Sequence, residues 1–408
     1  LYGQPPNTQG LGAKVAVYCD TLHWWHEHQV VRGYQSSVDY RMHFGLGDCT
    51  RIDSLRIEWP DGAVSRLVNV PVDTLLVVRQ TEQKTPSPPA PPPLPQGLLT
   101  ERGDRLTPFR HVEDEYSDFL RQPLLPRTFS QLGPGLAVGD VDGDGLEDFF
   151  VGGTYARAGW LFLQRPDGSF TAGPIDPTAT LEDQGVLFFD ADGDGDLDLL
   201  VAGGSGEFPE GSPYLLDRLY RNDGSGKLAW DPSALPDLRT SSSVVRAADF
   251  DRDGDLDLFI GGRLQPQRYP LPGRSYLLRS EQGRFVKVPH SVAPGLQEAG
   301  MVTDALWTDY NNDGWPDLIV VGEFMPIRVW RNNKGRLEEV TELLGLADTN
   351  GWWNSIAGGD FDQDGDIDYV LGNTGLNSRF RVSPEEPVRI YAADFDGNGL
   401  YDPLLTYY

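Results

Sequence analysis

Residues 140–148 read Asp-Val-Asp-Gly-Asp-Gly-Leu-Glu-Asp, and five further copies of this nine-residue pattern follow in the chain. Each copy has Asp at positions 1 and 9, Asp or Asn at positions 3 and 5, and Gly at position 6. The further copies begin at Asp190, Asp249, Asp309, Asp360 and Asp394. Oxygen-bearing side chains bent around a glycine predict a cage for a hard divalent cation, and Ca²⁺ fits this pattern best.

Each copy predicts one Ca²⁺ site, so up to six ions are expected. The expected ligands are side-chain oxygens at positions 1, 3, 5 and 9 and the backbone carbonyl at position 7. The first three loops contribute Asp140, Asp142, Asp144, Leu146, Asp148, then Asp190, Asp192, Asp194, Asp196, Asp198, and then Asp249, Asp251, Asp253, Asp255, Asp257. The last three contribute Asp309, Asn311, Asp313, Trp315, Asp317, then Asp360, Asp362, Asp364, Asp366, Asp368, and then Asp394, Asp396, Asn398, Leu400, Asp402. Asn311 and Asn398 keep an oxygen but lose a charge, so these two sites are expected to be weaker.

Two other interpretations of the loops stay open at the level of the sequence. Asp and Gly are common in turns, so the pattern also fits metal-free turns, although six copies in register favour metal. A signalling sensor of the EF-hand type is disfavoured, because neither flanking helices nor a Glu at position 12 is predicted.

The chain is strongly acidic. Among its 408 residues, 61 Asp and Glu stand against 34 Lys and Arg, which gives a net charge of −27. This argues against nucleic acid as a partner, because nucleic-acid binding requires basic surface. No apolar run reaches the ~18 residues of a membrane-spanning helix. The sequence begins at Leu1 in a strand-rich region and stops soon after a loop, so we interpret it as an excerpt of a longer protein.

Composition divides the chain into three parts. Residues 1–80 predict a small β-sandwich-like domain with a hairpin turn at Pro60-Asp61-Gly62. Its expected strands are Ala13–Tyr18, Ser54–Trp59, Ser65–Val70 and Thr74–Val78. Residues 81–99 form a proline-rich linker, which favours an extended spacer. Residues 100–408 carry the repeat, whose copies start 50, 59, 60, 51 and 34 residues apart, periods typical of a β-propeller or a repeat array.

Strand-like segments flank every loop, for example GLAVGD before the first and DFFVGG after it. A third strand with a turn follows several of them, as in Leu161–Phe170 and Leu219–Leu228. Such strands make propeller blades, and a radial arrangement of blades leaves few exposed sheet edges. The predicted fold is therefore an all-β propeller of six or seven blades. The last interval is short, so we expect the ring to be incomplete in this stretch, with Phe109–Tyr116 as a candidate closing strand.

Two smaller groups of residues leave alternatives open. Cys19 and Cys49 form one disulfide if the protein is exported, or remain two buried thiols. His23, His26 and His28 either bind a transition metal or belong to an ordinary strand or loop, and the second interpretation is favoured.

These features resemble known families. The six repeats resemble FG-GAP/VCBS repeats, the calcium-loop blades of integrin-type propellers. The N-terminal domain resembles the ASPIC/UnbV domain through four short blocks in order: Gly10–Val15, Gly33–Ser37, His43–Gly47 and Ile57–Gly62. The combination is similar to cartilage-acidic-protein-like secreted proteins and their bacterial surface relatives. The resemblance implies calcium binding and an extracellular, cell-surface or periplasmic location, and it implies no catalytic residues.

The leading hypothesis is a non-enzymatic calcium-binding protein whose propeller presents a rigid face to a protein or a glycan. The aromatic block Gly351–Asn354 is a candidate ligand contact, although packing of its rings between blades explains it more simply. The sequence contains no nucleophile elbow, no phosphate-binding loop and no Cys/His pair in a recognisable catalytic setting. A calcium-dependent polysaccharide lyase or glycoside hydrolase is the alternative, because paired carboxylates leave no sequence signature. A purely structural spacer is a third hypothesis.

Overall fold

The computed structural model describes residues 1–31, 37–80, 103–105, 109–177, 181–378, 380–383 and 385–407. The chain divides into two compact units, Leu1–Glu101 and Arg102–Tyr408. The predicted linker at 81–99 and most of the block Gly33–Ser37 lie outside the described residues. The described helices are four single 3-10 turns of three residues, none long enough to cross a membrane: Gly103–Arg105, Asp118–Leu120, Pro213–Leu215 and Leu296–Glu298.

The N-terminal unit contains one four-stranded antiparallel sheet with the order β2-β1-β3-β4. Its strands are β1 (Lys14–Cys19), β2 (Leu22–Glu27), β3 (Arg51–Glu58) and β4 (Val64–Pro71). Side chains of β1 and β3 alternate between buried and more exposed positions, and Trp59 packs into the same core. Gly62 has φ +83° in the turn between β3 and β4, a conformation that favours glycine.

Three of the four strands predicted for this unit occur, with shifted ends. The prediction for Thr74–Val78 is wrong, because this part of the chain pairs only through an isolated bridge between Tyr2 and Arg79. Cys19 and Cys49 form a disulfide.

The histidine group lies on and just beyond β2. The ring of His23 stacks on Tyr18, and the ring of His26 meets Phe44 edge-on. His28 follows the strand and is buried. Among the described residues these histidines do not form a three-ligand metal group.

The described part of the second unit contains six successive antiparallel sheets or hairpins, which we call blades one to six. Blade one contains β5 (Leu136–Gly139), β6 (Asp148–Val151), β7 (Trp160–Gln164) and β8 (Phe170–Pro174). Blade two contains β9 (Asp183–Phe189), β10 (Asp198–Gly203), β11 (Arg218–Arg221) and β12 (Ala229–Trp230). Blade three contains β13 (Ser241–Ala248), β14 (Asp257–Leu264), β15 (Tyr276–Glu281) and β16 (Arg284–Lys287).

The remaining blades complete the described part of this unit. Blade four contains β17 (Met301–Thr308), β18 (Asp317–Met325), β19 (Arg328–Asn332) and β20 (Leu337–Glu339). Blade five contains β21 (Gly351–Gly359) and β22 (Asp368–Asn373), and blade six contains β23 (Arg389–Ala393) and β24 (Asp402–Thr406). Strand β21 also pairs with β18, which links blades four and five.

Successive blades pack face to face. One cluster of buried side chains joins blades one and two through Phe150 and Leu199, another joins blades two and three through Leu200 and Leu258, and a third joins blades three and four. The first strands of neighbouring blades also contact one another. A single blade cannot bury both of its faces, so its neighbours supply the core. The predicted all-β, propeller-like fold is confirmed.

Each nine-residue acidic loop, which we call an Asp loop, joins the first strand of its blade to the second. Residues 109–132, which we call the strap, reach the sixth Asp loop, where Nε2 of Gln122 donates to the carbonyl of Tyr401 (2.6 Å). In blades one and two, the strap instead contacts the connections at the end opposite the Asp loop, where the second strand leads to the third. There the N–H of Gly206 donates to the carbonyl of Phe129 (3.2 Å), and Thr154 Oγ1 donates to the carbonyl of Val112 (3.1 Å). The predicted closing strand Phe109–Tyr116 is wrong, because this segment binds through such single contacts and forms no strand.

Candidate metal centres

All six Asp loops close on the carboxylate at position 1. In the first loop, Asp140 accepts hydrogen bonds from the backbone N–H groups of Asp144 (3.1 Å) and Gly145 (2.9 Å). The position-6 glycine donates to the position-1 carboxylate in every other loop as well, at 2.6–3.1 Å. These bonds wrap the backbone around the first acidic side chain.

The carboxylate at position 9 connects the loop to the rest of its blade. In the first loop, Asp148 accepts from the N–H of Val141 (2.9 Å) through Oδ2 and from the N–H of Gln164 (2.7 Å) through Oδ1. Gln164 belongs to the third strand of the blade, so this one carboxylate links the loop, the second strand and the third strand. The same pair of bonds recurs in blades two, three and four.

Two positions in each loop have φ values in the left-handed region. The glycine at position 6 has φ between +84° and +101° in all six loops. Position 4 also has positive φ throughout, between +56° and +77°, although it is Arg252, Asn312 and Gln363 in three of the loops. The sequence predicts only the role of position 6, because the residue type at position 4 varies. A non-glycine residue in this conformation costs about 1–2 kcal/mol, so the surrounding loop contacts must impose it.

The carboxylates gather closely in five of the six loops. Oxygens from positions 1, 3 and 9 lie within 4.8 Å of one another in the loops that begin at Asp140, Asp249, Asp360 and Asp394, and oxygens from positions 1, 3 and 5 do so in the loop from Asp190. Two ligands of one Ca²⁺ lie at most about 5 Å apart, because each Ca–O distance is about 2.3–2.6 Å. The oxygen-only ligand set and its spacing therefore fit Ca²⁺.

The second and fourth loops differ from the others. Asn311 replaces the position-3 carboxylate of the fourth loop, and its Oδ1 accepts a hydrogen bond from the N–H of Asp313 (2.9 Å). In the second loop, the Arg221 guanidinium lies 2.8 Å from Asp198 and 3.3 Å from Asp192. Arg221 thus neutralises part of the negative charge of this loop.

Burial raises the pKa of two position-9 carboxyls, to about 7 for Asp257 and to about 6 for Asp317. Neighbouring carboxylates add to these shifts, and backbone N–H donors oppose them. Burial and neighbouring carboxylates also raise the pKa of Asp142 and Asp251 at position 3. A bound cation favours the charged form and would lower each of these pKa values.

Asparagine side chains tie two of the loops to the next blade. The Nδ2 of Asn222, at the end of the third strand of blade two, donates to the carbonyl of Val141 (2.7 Å) in the first loop. Asn332 in blade four makes the matching bond to Phe250 (2.7 Å) in the third loop. Each of these loops is therefore braced by its own blade and by its neighbour.

The aromatic block before the fifth loop is largely packed. Trp353 belongs to the core of blades four and five, and its Nε1 donates to the carbonyl of Thr349 (3.0 Å). Trp352 lies against Phe324, and the Arg127 guanidinium sits 5.3 Å from its ring centre. These contacts favour the packing interpretation over a ligand site.

Comparison with known families agrees with this architecture. Residues 3–85 match the family described as ASPIC and UnbV. Residues 140–201, 203–260 and 309–371 match the FG-GAP-like repeat. The chain combines an ASPIC/UnbV domain with FG-GAP-like repeats. Both predicted resemblances are confirmed, and the matched FG-GAP-like segments contain the first five Asp loops.

Individual proteins that resemble this ASPIC/UnbV and FG-GAP-like chain include cartilage acidic protein 1 of Mus musculus and of Homo sapiens. Each is 30% identical over 215 residues, which is 50% of this chain but only 31% and 30% of the relatives' own lengths. The chain therefore spans less than a third of the curated relatives it matches. Among solved structures, Saccharomyces cerevisiae Sqt1 gives a TM-score of 0.36 at 12% identity and covers 61% of this chain and 58% of that one. The V. cholerae biofilm matrix protein Bap1 gives a TM-score of 0.30 at 16% identity and covers 62% of this chain and 37% of that one.

Proposed function

We propose that this chain is a non-enzymatic calcium-binding protein in which up to six Ca²⁺ ions stabilise a propeller that binds a protein or a glycan. The observation that carries the proposal is the gathering of three carboxylate oxygens within 4.8 Å in five of the six Asp loops. Like charges at such distances repel strongly unless a counter-ion lies between them. The ion is structural in this proposal, because the position-9 ligand is the first residue of the second strand in every blade.

We propose an extracellular, cell-surface or periplasmic location. The disulfide between Cys19 and Cys49 supports it, because disulfides persist in oxidising compartments. The relatives are named for cartilage, which is compatible with a location outside the cell. Extracellular calcium modules bind their ion at about 10⁻⁴–10⁻³ M, so weak individual sites would still be occupied there.

Metal analysis tests the calcium part of the proposal. The full chain is equilibrated with about 10 mM CaCl₂, well above the dissociation constants expected for such sites, and bound calcium is measured by elemental analysis. Asp249→Ala removes the position-1 ligand of the third loop and is expected to lose about one ion per chain. Asp348→Ala makes the same change at an exposed site outside the loops and is expected to lose none. A wild-type chain without stoichiometric calcium would contradict the proposal.

Binding and turnover test the scaffold part. The full chain is applied to glycan arrays and to extracellular protein extracts, in calcium and in chelator, and polysaccharides are assayed for new reducing ends and unsaturated products. Calcium-dependent binding without product release is expected. Product release would overturn the non-enzymatic assignment in favour of a lyase or hydrolase.

A further inference from the structure

The strap covers a group of carboxylates that the Asp loops do not use. Glu113 and Asp114 belong to the strap itself. Glu182 lies just before β9, and Glu207 follows β10, so both belong to blade two. Glu182 is 1% exposed and accepts a hydrogen bond from the backbone N–H of Tyr155 (2.8 Å). These four acidic groups lie at the end of blade two opposite its Asp loop.

Several oxygens of this group are buried without a hydrogen-bond donor. Glu207 is 8% exposed, and the neighbouring Asp114 carboxyl is among the groups that raise its pKa. Within the described residues, Oε1 of Glu207, Oδ1 of Asp114 and Oε2 of Glu113 have no partner and no solvent contact. Buried carboxyl groups that are close neighbours require a proton or a cation, because buried unpaired charge is costly.

Positive charge is scarce around this group. The Nε2 of His111 lies 2.6 Å from Oε1 of Glu113. No Lys or Arg of the described chain forms an ion pair with Asp114, Glu182 or Glu207. Burial, and then the neighbouring carboxylates, raise the pKa of Glu182 and of Glu207 to about 8.

The chemistry of the group selects the kind of cation. Carboxylate oxygens favour a hard ion such as Ca²⁺ or Mg²⁺. Where the structure describes the chain, three acidic oxygens approach within 4.8 Å only in the Asp loops, so this second group is wider. A wider group suits an ion that keeps several of its waters and binds one or two carboxylates directly, as Mg²⁺ commonly does.

We propose that a hydrated divalent cation, Ca²⁺ or Mg²⁺, binds between Glu207 and Asp114, with Glu182 and Glu113 holding its waters. Because Asp114 belongs to the strap and Glu207 to blade two, the ion fastens the strap to the propeller. The site uses none of the Asp-loop residues, and the Asp loop of blade two lies at the other end of that blade.

Hydrogen exchange of the full chain, read by mass spectrometry, separates this site from the loops. After chelation the chain is titrated with CaCl₂ or with MgCl₂, and exchange is followed in peptides covering residues 109–118 and residues 190–198. In the wild type, protection of residues 109–118 is expected to rise about tenfold when free ion reaches ten times its dissociation constant. Glu207→Gln should abolish that rise, and Glu115→Gln, at an exposed residue of the same segment, should leave it unchanged.

Hydrogen exchange in β17 and β18 shows whether each variant is folded. If Glu207→Gln disturbs blade two, Asp114→Asn replaces it and should likewise abolish the rise in protection of residues 109–118. Residues 109–118 that ignore both ions while residues 190–198 respond would overturn this inference and leave the calcium loops standing. If protection of residues 109–118 depends on pH but on neither ion, Glu207 and Asp114 share a proton instead of binding a cation. If lysine amide protects residues 109–118 and neither metal ion does, the site binds an organic cation instead. A response of the strap without a response of the loops would support this site and contradict the proposed loop function.

Discussion

Blades one to four and blades five and six carry the same Asp loop in different surroundings. In the first four, a third and a fourth strand follow the loop, whereas the described part of the last two consists of β21–β22 and β23–β24 alone. The position-9 carboxylate is 0–2% exposed in the first four blades. In the last two, Asp368 and Asp402 are only partly buried.

This difference shows what the third strand contributes to the loop. In blade three, Asp257 accepts from Phe250 (3.2 Å) within the loop and from Ser280 (2.8 Å) on the third strand. In blade six, Asp402 accepts from Phe395 (3.2 Å) within the loop, and no third-strand donor occurs in the described residues. The loop pattern alone therefore closes the loop, and the third strand anchors it to the blade.

Removal of calcium is expected to have the largest effect on stability, and it tests the difference between blades one to four and blades five and six. At about 10 mM free Ca²⁺, each occupied site should stabilise the native state by about 1.4–2.7 kcal/mol, if its dissociation constant is about 10⁻⁴–10⁻³ M. Chelation should therefore lower the midpoint of urea unfolding strongly. Residues 351–407 should lose hydrogen-exchange protection before blades one to four, because their position-9 carboxylates lack the third-strand bond.

Equal midpoints with calcium and with chelator would contradict a structural role for the ion. Simultaneous loss of protection in all six blades would instead remove the distinction between anchored and unanchored loops. MgCl₂ at the same concentration serves as the control, because the small Mg²⁺ ion dehydrates reluctantly and should restore less stability at the Asp loops.

Substitution of the position-9 residue should give the next largest effect. In saturating calcium, Asp257→Ala and Asp402→Ala each remove one expected metal ligand. Asp257→Ala also leaves two backbone N–H groups without an acceptor in a buried site, at about 1–3 kcal/mol each. Urea unfolding should therefore show a loss about 2–4 kcal/mol larger for Asp257→Ala than for Asp402→Ala. Asp348→Ala, at an exposed site outside the loops, is the matched control, and equal losses at both loops would show that the third-strand bond contributes nothing.

The sequence predicts the loops well because their chemistry is local. The acidic residues, the glycine at position 6 and the flanking strands all follow from short-range spacing. The left-handed conformation of Arg252, Asn312 and Gln363 at position 4 is not predictable from residue type, since no glycine marks it. The shared loop geometry, rather than the residue itself, imposes that conformation.

Contacts between residues far apart in the sequence cannot be predicted from short-range spacing. Asn222 and Val141 are 81 residues apart, and their hydrogen bond depends on how two blades pack. The group formed by Asp114, Glu182 and Glu207 combines a strap with a blade, and no spacing rule connects these residues. In the same way, the disulfide between Cys19 and Cys49 depends on a separation in space that sequence does not contain.

A buried carboxyl away from the loops extends the comparison to the opposite end of a complete blade. Asp217 in blade two accepts hydrogen bonds from the N–H of Gly203 (3.0 Å) and from the hydroxyl of Ser242 (3.4 Å), and burial raises its pKa to about 7. In the unfolded chain an Asp has a pKa of about 3.9, so the unfolded state releases its proton first. Stability contributed by this group should therefore fall as the pH rises from about 4 to about 7 and then level off.

Asp217→Asn keeps the acceptor for Gly203 but cannot ionise, so it should lack this fall. At fixed calcium, the free energy of unfolding of the variant minus that of the wild type should increase by about 2–4 kcal/mol between about pH 4 and about pH 8. Glu210→Gln, at an exposed residue of the same blade, should give a nearly constant difference over this range. The subtraction removes the titration of the loop carboxylates, which both proteins share. If the difference in unfolding free energy for Asp217→Asn does not change with pH, the folded blade holds Asp217 charged rather than protonated. Asp217 would then resemble the carboxylates of a metal-binding loop.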